Sequence, residues 1–284
     1  MKLIRYGAVG LEEPGVVMSD GRRIDAGGEV DDYDERFFAA GGLGLLSKWV
    51  SAGCPGGREV DPLVRLGPPV ARPSKIVCIG RNYLDHAMEM GGEIPAEPTV
   101  FMKASSAWSG PNDDVIVPRG STKLDYEVEL AVVIGKSVSY VNELDAMACV
   151  AGYSTFCDFS ERSFQNEMGG QWTKGKSSDS FAPIGPWLVT TDEIRDAQKL
   201  RLWSKVNGEI RQSSWTGDMI FSVRNLVSYV SRFMTLLPGD VLATGTPGGV
   251  AMGMKPPRFL NAGDHVECCV EGLGELSQRV VAYT

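Results

Sequence analysis

Most of this chain is written in short apolar runs, and the period of the pattern changes only where helices are expected. From residue 75 onward the runs are rich in β-branched residues and bounded by Gly, Pro, Asn or Asp, which is the signature of strands. They cover Ile76 to Ile79, Thr99 to Met102, Val115 to Val117, Leu124 to Ile134 and Tyr153 to Cys157. Further on they cover Trp187 to Val189, Leu200 to Val206, Val241 to Ala243, His265 to Val270 and Leu276 to Ala282. Asn207-Gly208, between two such runs, fits a two-residue hairpin turn in which both positions take positive φ. A 3.6-residue period is clear only over Glu143 to Val150 and over Met219 to Leu236. In the second, Val223, Leu226, Val227, Val230, Phe233 and Met234 fall on one face, and Pro238-Gly239 stops the helix. Strands outnumber helices without regular β-α-β alternation, so the pattern predicts a β-rich α+β fold rather than a doubly wound sheet.

The first 72 residues read as a small leading domain and linker, with residues 73–284 as the main domain. Lys2 to Tyr6 and Gly15 to Met18 fit strands, with a tight turn at Ser19-Asp20-Gly21-Arg22. Phe37 to Val50 suggests a helix that Gly41, Gly42 and Gly44 weaken. Gly and Pro crowd residues 51–58 and 67–73, which marks a linker or wrapped loop. No internal repeat and no low-complexity tract is present.

Composition narrows the classes. The 284 residues are 43% hydrophobic, enough for one large domain with a sizeable core. A net charge of −8 argues against nucleic acid or an anionic membrane as partner, since both demand a basic surface. No apolar stretch reaches the length of a membrane-spanning helix, and the first residues lack the apolar core of a signal peptide. The six cysteines, at 54, 78, 149, 157, 268 and 269, show no Cys-x-x-Cys spacing and read as reduced thiols of a cytoplasmic protein.

The candidate chemistry starts in the longest apolar run. Glu127 and Glu129 stand at i and i+2, a spacing that puts both side chains on one face of a strand. Two ionised carboxylates share a site only with something positive between them, and oxygen ligands suit Mg2+, Mn2+ or Ca2+. Two surface glutamates on a solvated strand face would give the same pattern. Asp158 ends a second apolar run and supplies a third carboxylate, with a helix N-cap as its plainer role. Three carboxylates leave part of an octahedral shell open, as a catalytic ion requires.

Only two histidines occur. His265 opens a late strand, where a surface or pairing role fits. His86 follows the Ile76 strand, and on a helix over Leu84 to Met90 it would face Glu89 at i+3. A carboxylate beside an imidazole raises its basicity, the arrangement needed to draw a proton from water, although exposed His–Glu pairs are common. The following Gly91-Gly92 and Pro95 would let this segment swing as a lid. Lys174 and Lys176 lie in a long Gly- and Ser-bearing loop, where a lysine neutralises a developing enolate or is simply solvated. Thr244-Gly-Thr-Pro-Gly-Gly249 could form an anion nest or a plain turn. Arg162 and Gln165 would share a face of a helix begun near Ser160, suited to a substrate carboxylate or to the surface.

Taken together, these pieces resemble the fumarylacetoacetate hydrolase superfamily, in the branch of acylpyruvases, oxaloacetate decarboxylases and diketo sugar-acid hydrolases. The likeness rests on Ile79-Gly-Arg-Asn-Tyr-Leu-Asp-His-Ala-Met-Glu89, Asp125-Tyr-Glu-Val-Glu-Leu130, Gly152 to Asp158 with Arg162, Lys176 to Pro183, Val206-Asn-Gly-Glu209 and Thr244-Gly-Thr-Pro247, in family order. The resemblance implies a mixed β-roll catalytic domain, usually in a homodimer, holding Mg2+ or Mn2+ on Glu127, Glu129 and Asp158. It implies His86 and Glu89 as a water-activating dyad on a lid and Lys176 against the substrate enolate. Arg81, Tyr83, Arg162, Gln165 and Thr246 would contact substrate or order the site. Many relatives read Pro-Gly after Thr-Gly-Thr-Pro where this chain has Gly248-Gly249, which bears on the stiffness of that loop.

The activity so implied is cleavage of the C3–C4 bond of a 2,4-diketo acid to pyruvate and a carboxylic acid. A 2,4-diketo-3-deoxy sugar acid of the rhamnonate or fuconate type is the first expectation, and another acylpyruvate the next. Oxaloacetate decarboxylation, isomerisation of a hydroxy-diene diacid and ureidoglycolate cleavage stay open as sister reactions. So does a non-enzymatic, cation-stabilised acidic binding protein.

Overall fold

The Leu124 to Ile134 run does not form one strand. In the computed structural model, which describes residues 1–89, 91 and 94–284, it breaks at Tyr126 and Glu127. Leu124–Asp125 pairs with Ser160–Glu161 in a two-stranded ladder of its own. Val128–Ile134 becomes the centre of the main sheet, and all seven of its residues are buried. Its near-continuous apolar sequence follows from that position, since a strand covered on both faces has no reason to alternate.

From one edge the main sheet runs Glu59–Val60, Arg23–Asp25, Glu13–Val17, Lys2–Tyr6 and Ala182–Thr190. It continues through Val150–Cys157, Val128–Ile134, Val241–Ala243 and Ile76–Gly80 to Thr99–Lys103. The leading segment is thus joined to this sheet by backbone pairing, with Lys2 opposite Val189 and Leu3 opposite Leu188. A second sheet is ordered Glu209–Trp215, Arg201–Val206, His265–Val270, Gly274–Ala282 and Val115–Val117. His265–Val270 buries every second residue, so one face looks inward. Thr155 joins the layers: its hydroxyl donates to Gly274 O at 2.8 Å and accepts from Val270 N–H at 3.1 Å.

Register decides where the chemistry falls. Val128 lies opposite Cys157 in an antiparallel pair, and Asp158 N–H donates to Glu127 O at 2.9 Å, so the acidic residues meet just beyond the ladder's end. Val241–Ala243 runs antiparallel to Val128–Ile134 and parallel to Ile76–Gly80. The loops after Ala243 and Gly80 therefore leave at that same end. Three strand exits and one strand entry converge there.

Several expectations are corrected. Phe37 to Val50 is two helices, Glu35–Ala39 and Gly42–Ser51. Gly41 separates them at φ 74°, and a Cβ on Gly42 would fall 2.2 Å from the Phe37 ring. Glu143 to Val150 is a single α turn, Glu143–Ala146, followed by a 3-10 turn before the next strand. The Met219 helix is only Val223–Val230, capped by Ser222, and Phe233 is 61% exposed beyond its end. Trp187 to Val189 grows to Ala182–Thr190, a strand that Pro183, Gly185 and Pro186 hide from pattern reading. Asn207 and Gly208 do take positive φ, 52° and 78°, at their hairpin. The expected extension of the His86 helix to Met90, and the Gly92 half of the lid hinge, lie outside the described residues. All six cysteines are free thiols. Among the described residues no helix is long and apolar enough to cross a membrane.

Candidate metal centre and its cavity

One oxygen from each of Glu127, Glu129 and Asp158 lies within 4.8 Å of the other two, and all three residues are buried. Two unit charges at that distance repel by about 3–4 kcal/mol even at an effective dielectric near 20. The chain offsets part of this with its own cations. Lys176 Nζ donates to Glu127 Oε2 at 2.6 Å and to Asp158 Oδ2 at 2.8 Å. Arg162 reaches Glu127 Oε1 at 2.6 Å and Asp125 Oδ2 at 2.8 Å. Lys103, unforeseen in the sequence, pairs with Asp158 Oδ1 and donates to Phe159 O at 3.0 Å.

Glu129 is treated differently. It accepts only the backbone N–H of Gly245, at 2.8 Å, and no cation reaches it among the described residues. Burial, and then the charges of Asp158 and Glu127, push its carboxyl well above the ordinary carboxylate range. Burial would raise Glu127 as well, but Lys176 and Arg162 override it and hold that carboxylate far down. Four carboxylates, counting Asp125, thus face three cations, and Glu129 is the one left without a countercharge. A hard divalent ion fits this donor set, since it takes carboxylate oxygens and supplies the missing positive charge. Glu127, Glu129 and Asp158 would hold it.

Glu127 and Glu129 open into a cavity of about 220 Å3. Its buried end is polar: Glu127, Glu129, Arg162, Gln165, Lys176 and Thr246. Its walls are Ile79, Phe101, Trp172 and Met252. Phe101 and Trp172 pack edge to face at 5.3 Å, and Lys176 Nζ lies 5.0 Å from the Phe101 ring centre. Gly80 makes room for this wall, because a Cβ there would stand 2.5 Å from the Trp172 indole. Arg81 and His86 complete the lining. Arg81 is exposed and held at φ 56°, a left-handed backbone that costs a non-glycine residue about 1 kcal/mol.

His86 sits on Leu84–Glu89, with Nδ1 3.4 Å from Glu89 Oε2, longer than a firm hydrogen bond. Glu89 does not line the cavity. Its carboxylate accepts Gly249 N–H at 3.1 and 3.2 Å and so anchors the helix to the following loop. Gly249 itself takes φ 102°, and a Cβ there would meet Arg211 O at 2.1 Å. Here the chain's Gly248-Gly249 variation supplies a backbone amide at a place no side chain fits. Asn82 pins the entry to the helix: its amide donates to Thr244 O at 2.8 Å and Phe221 O at 3.1 Å, and its oxygen accepts from Phe221 N–H.

Other expected residues are placed as follows. Tyr83, expected as a substrate contact, is fully buried and does not line the cavity. Arg162 opens the short helix Arg162–Asn166, two residues later than expected, and its third group donates to Gln165 Oε1 at 3.1 Å. Thr246 donates its hydroxyl hydrogen to Val128 O at 2.8 Å, so that hydrogen is committed to the backbone between the two glutamates. Lys174 is exposed and bonds Met168 O, leaving Lys176 as the lysine that this loop brings to the site. His265 binds Ser277 Oγ at 2.8 Å, away from this centre.

Sequence reasoning missed Gln212. It is buried in the hairpin strand Glu209–Trp215 and spends its whole amide on this centre's frame. Its oxygen accepts Val128 N–H at 3.0 Å and the Ser204 hydroxyl at 2.9 Å, while its nitrogen donates to Thr246 Oγ1 at 2.8 Å and Pro247 O at 2.9 Å. It thereby ties the second sheet to Val128, the residue between the two glutamates. Asp125 does similar work, accepting Ala251 N–H at 2.7 Å and Met252 N–H at 3.1 Å besides Arg162. Asp125 lay within the quoted motif but carried no role, and a lone Gln in a half-exposed strand gave no signal.

Comparison with known proteins places this geometry in context. Residues 75–281 match the family described as fumarylacetoacetate (FAA) hydrolase, C-terminal. A protein of Burkholderia lata with a provisional hydrolase name and no stated substrate is 48% identical, over 98% of both chains. Among solved structures, a fumarylacetoacetate hydrolase from Exiguobacterium antarcticum is 35% identical with a TM-score of 0.86 over the whole of both chains. A probable 2-hydroxyhepta-2,4-diene-1,7-dioate isomerase from Mycobacterium abscessus gives 33% and 0.84, again over both whole chains. A maleylpyruvate hydrolase from Sphingobium sp. SYK-6, in complex with manganese(II) and pyruvate, gives 29% and 0.82 at the same coverage.

Proposed function

The chain belongs to the fumarylacetoacetate hydrolase superfamily, and from that premise we propose that it is a divalent-cation-dependent hydrolase cleaving the C3–C4 bond of a 2,4-diketo acid to pyruvate and a carboxylic acid. The observation that carries this reading is the meeting, in one cavity, of a buried acidic triad, a lysine and a histidine backed by a carboxylate. The manganese and pyruvate in the maleylpyruvate hydrolase of similar fold support it.

When bound, the ion supplies a chelation point for the keto-acid end and a positive charge beside the C2 oxygen. The chain's own residues do the rest. Gln165 and Thr246 border that end of the substrate, and the apolar wall keeps bulk water from the reacting bond. His86 takes one proton from a water molecule whose oxygen adds to C4. The resulting alkoxide collapses, the C3–C4 bond breaks, and its electron pair passes to C3 as the pyruvate enolate. Lys176, next to the acidic triad, holds that developing negative charge. The protonated His86 returns its proton to C3, and the carboxylic acid loses its own to solvent. Glu89 acts through His86, orienting its ring for these steps.

Decarboxylation of oxaloacetate would use the same enolate without the water, and diene isomerisation would use the proton shuttle alone. The His86–Glu89 pair favours hydrolysis, because only hydrolysis needs water activated. The acyl half of the substrate, sugar-derived or otherwise, is selected at the Arg81 end. A homodimer belongs to the same reading, and sedimentation of the purified protein tests it. The deciding assay incubates the protein with Mn2+ or Mg2+ and a panel of acylpyruvates and follows pyruvate release. Release that EDTA silences supports the proposal. Silence across the panel, with oxaloacetate yielding pyruvate and CO2, would replace it by decarboxylation.

A further inference from the structure

Glu89 stands one step behind the chemistry, and residues far along the chain hold it. Its carboxylate accepts Gly249 N–H at 3.1 and 3.2 Å, and Gly253 packs directly against it. A Cβ on Gly253 would stand 2.5 Å from Glu89 Cγ and nearer still to the carboxyl carbon. Gly253 ends the 3-10 turn Ala251–Gly253 and takes no positive φ, so what its missing side chain provides is space. This segment is in turn fastened to the residues just before Glu127. The fully buried Tyr126 donates its hydroxyl hydrogen to Gly249 O at 3.1 Å. Asp125 accepts Ala251 N–H at 2.7 Å and Met252 N–H at 3.1 Å, and Leu260 N–H donates to Leu124 O at 2.8 Å. Leu84 and Met88, on the lid helix itself, are exposed.

We propose that residues 249–253 form a cradle that places Glu89, and through it His86, so that Gly253 and Tyr126 are positioning residues for the proton transfer. This rests on the hydrolase reading above and deepens it at the same site. A carboxylate 3.4 Å from the imidazole orients the ring only if it is itself fixed, because a free glutamate side chain samples several rotamers. The cradle fixes it from two sides, with the Gly249 amide shared by both oxygens and the bare Cα of Gly253 against the carboxyl carbon. Its far side is carried by Asp125 and Tyr126, next to Glu127 in the chain. His86 thus takes its bearing from the strand break beside the acidic centre, although it sits on the lid helix. Precision of this kind matters, since a misplacement of about 1 Å costs up to about 100-fold in rate.

The test uses the full chain as wild type, G253A, Y126F, E89D and G253A/E89D, each also carrying H265N so that His86 is the only histidine. Alanine at 253 is a mild probe, since the atoms it meets are the end of a flexible side chain. G253A should lower kcat for pyruvate release by about 10- to 100-fold, while KM and the calorimetric Mn2+ affinity stay within about twofold. Y126F, which removes one hydrogen bond, should lower kcat by about 3- to 10-fold in the same pattern, and it carries the same readouts if G253A does not fold. In the metal-free proteins the proton NMR signal of the His86 ring should move in both variants. Once alanine has displaced Glu89, shortening that side chain changes little, so the G253A and E89D losses should fall well short of multiplying. An unmoved ring signal with unchanged kcat, fully multiplying losses, or Mn2+ affinity falling in step with kcat would overturn the cradle. The ring signal is read without turnover. A chain that cleaves nothing, yet shifts that signal in G253A and Y126F, would therefore sink the hydrolase reading and leave the cradle standing.

Discussion

The two sides of the cavity are built to different standards. On the acidic side, Glu127 and Asp158 each meet two cations, Arg162 meets three acceptors, and the backbone between the glutamates is clamped by Gln212 and Thr246. On the other, the Leu84–Glu89 helix holds its histidine by one 3.4 Å contact and leaves Leu84 48% and Met88 64% exposed. Placing an ion among like charges demands a frame that cannot relax, because relaxation would let the carboxylates separate. A proton-transfer group needs only to arrive at its place during the reaction, and its contacts are commonly long before substrate binds. On the proposed reading, ion binding and turnover fall to different elements, and mutation should pull them apart.

The largest effect is expected at the acidic side. Glu129→Gln, which keeps the shape and removes the one carboxylate of the centre that pairs with no cation among the described residues, should weaken Mn2+ binding by more than the ~100-fold an outer residue costs and leave turnover undetectable. Calorimetry and pyruvate release check both numbers. His86→Asn should lower kcat by about 10²–10⁴ while Mn2+ affinity stays within about twofold. If affinity fell in step with kcat, the two sides would not be independent and the comparison would fail.

Gln212→Leu sharpens the contrast from the second sheet. It should weaken Mn2+ binding by about 10- to 100-fold, although Gln212 touches no ion, with Gln212→Glu recovering the half of the clamp made by its acceptor oxygen. Unchanged affinity in both variants would reduce Gln212 to a packing residue. The smallest effect is the pH dependence. Glu129 is raised by burial and by its acidic neighbours, so its neutral form favours the metal-free fold. That contribution is fully present below the ordinary carboxylate range and is lost as pH rises through the raised value. An ion must displace that proton, so Mn2+ affinity should climb by up to about tenfold per pH unit below the raised value. Titrations in two buffers of different ionisation enthalpy would expose the released proton.

What the sequence made legible was short-range. Glu127 and Glu129 two apart, and His86 and Glu89 three apart, are spacings that a strand and a helix turn into adjacency whatever the rest of the chain does. Lys103 reaches Asp158 across 55 residues, Gln212 reaches Val128 across 84, and Asp125 reaches Ala251 across 126. Each of these is a common residue type whose meaning comes from register between strands, which no local pattern carries. The fold divides the same way. The uninterrupted β-branched runs were readable, while Ala182–Thr190 was shortened by its prolines and the Met219 helix lengthened by apolar residues that belong to the next turn.

Because Val241–Ala243 pairs between Ile76–Gly80 and Val128–Ile134, the acidic centre is completed late in synthesis. A nascent chain that stops short of residue 241 holds all three acidic residues and lacks both the strand that braces them and the Gly245 amide that Glu129 accepts. A metal at this centre would therefore be taken up only after synthesis has passed Gly245. A stalled fragment of about 235 residues should pass an Mn2+ column unretained, while the released full chain stays bound.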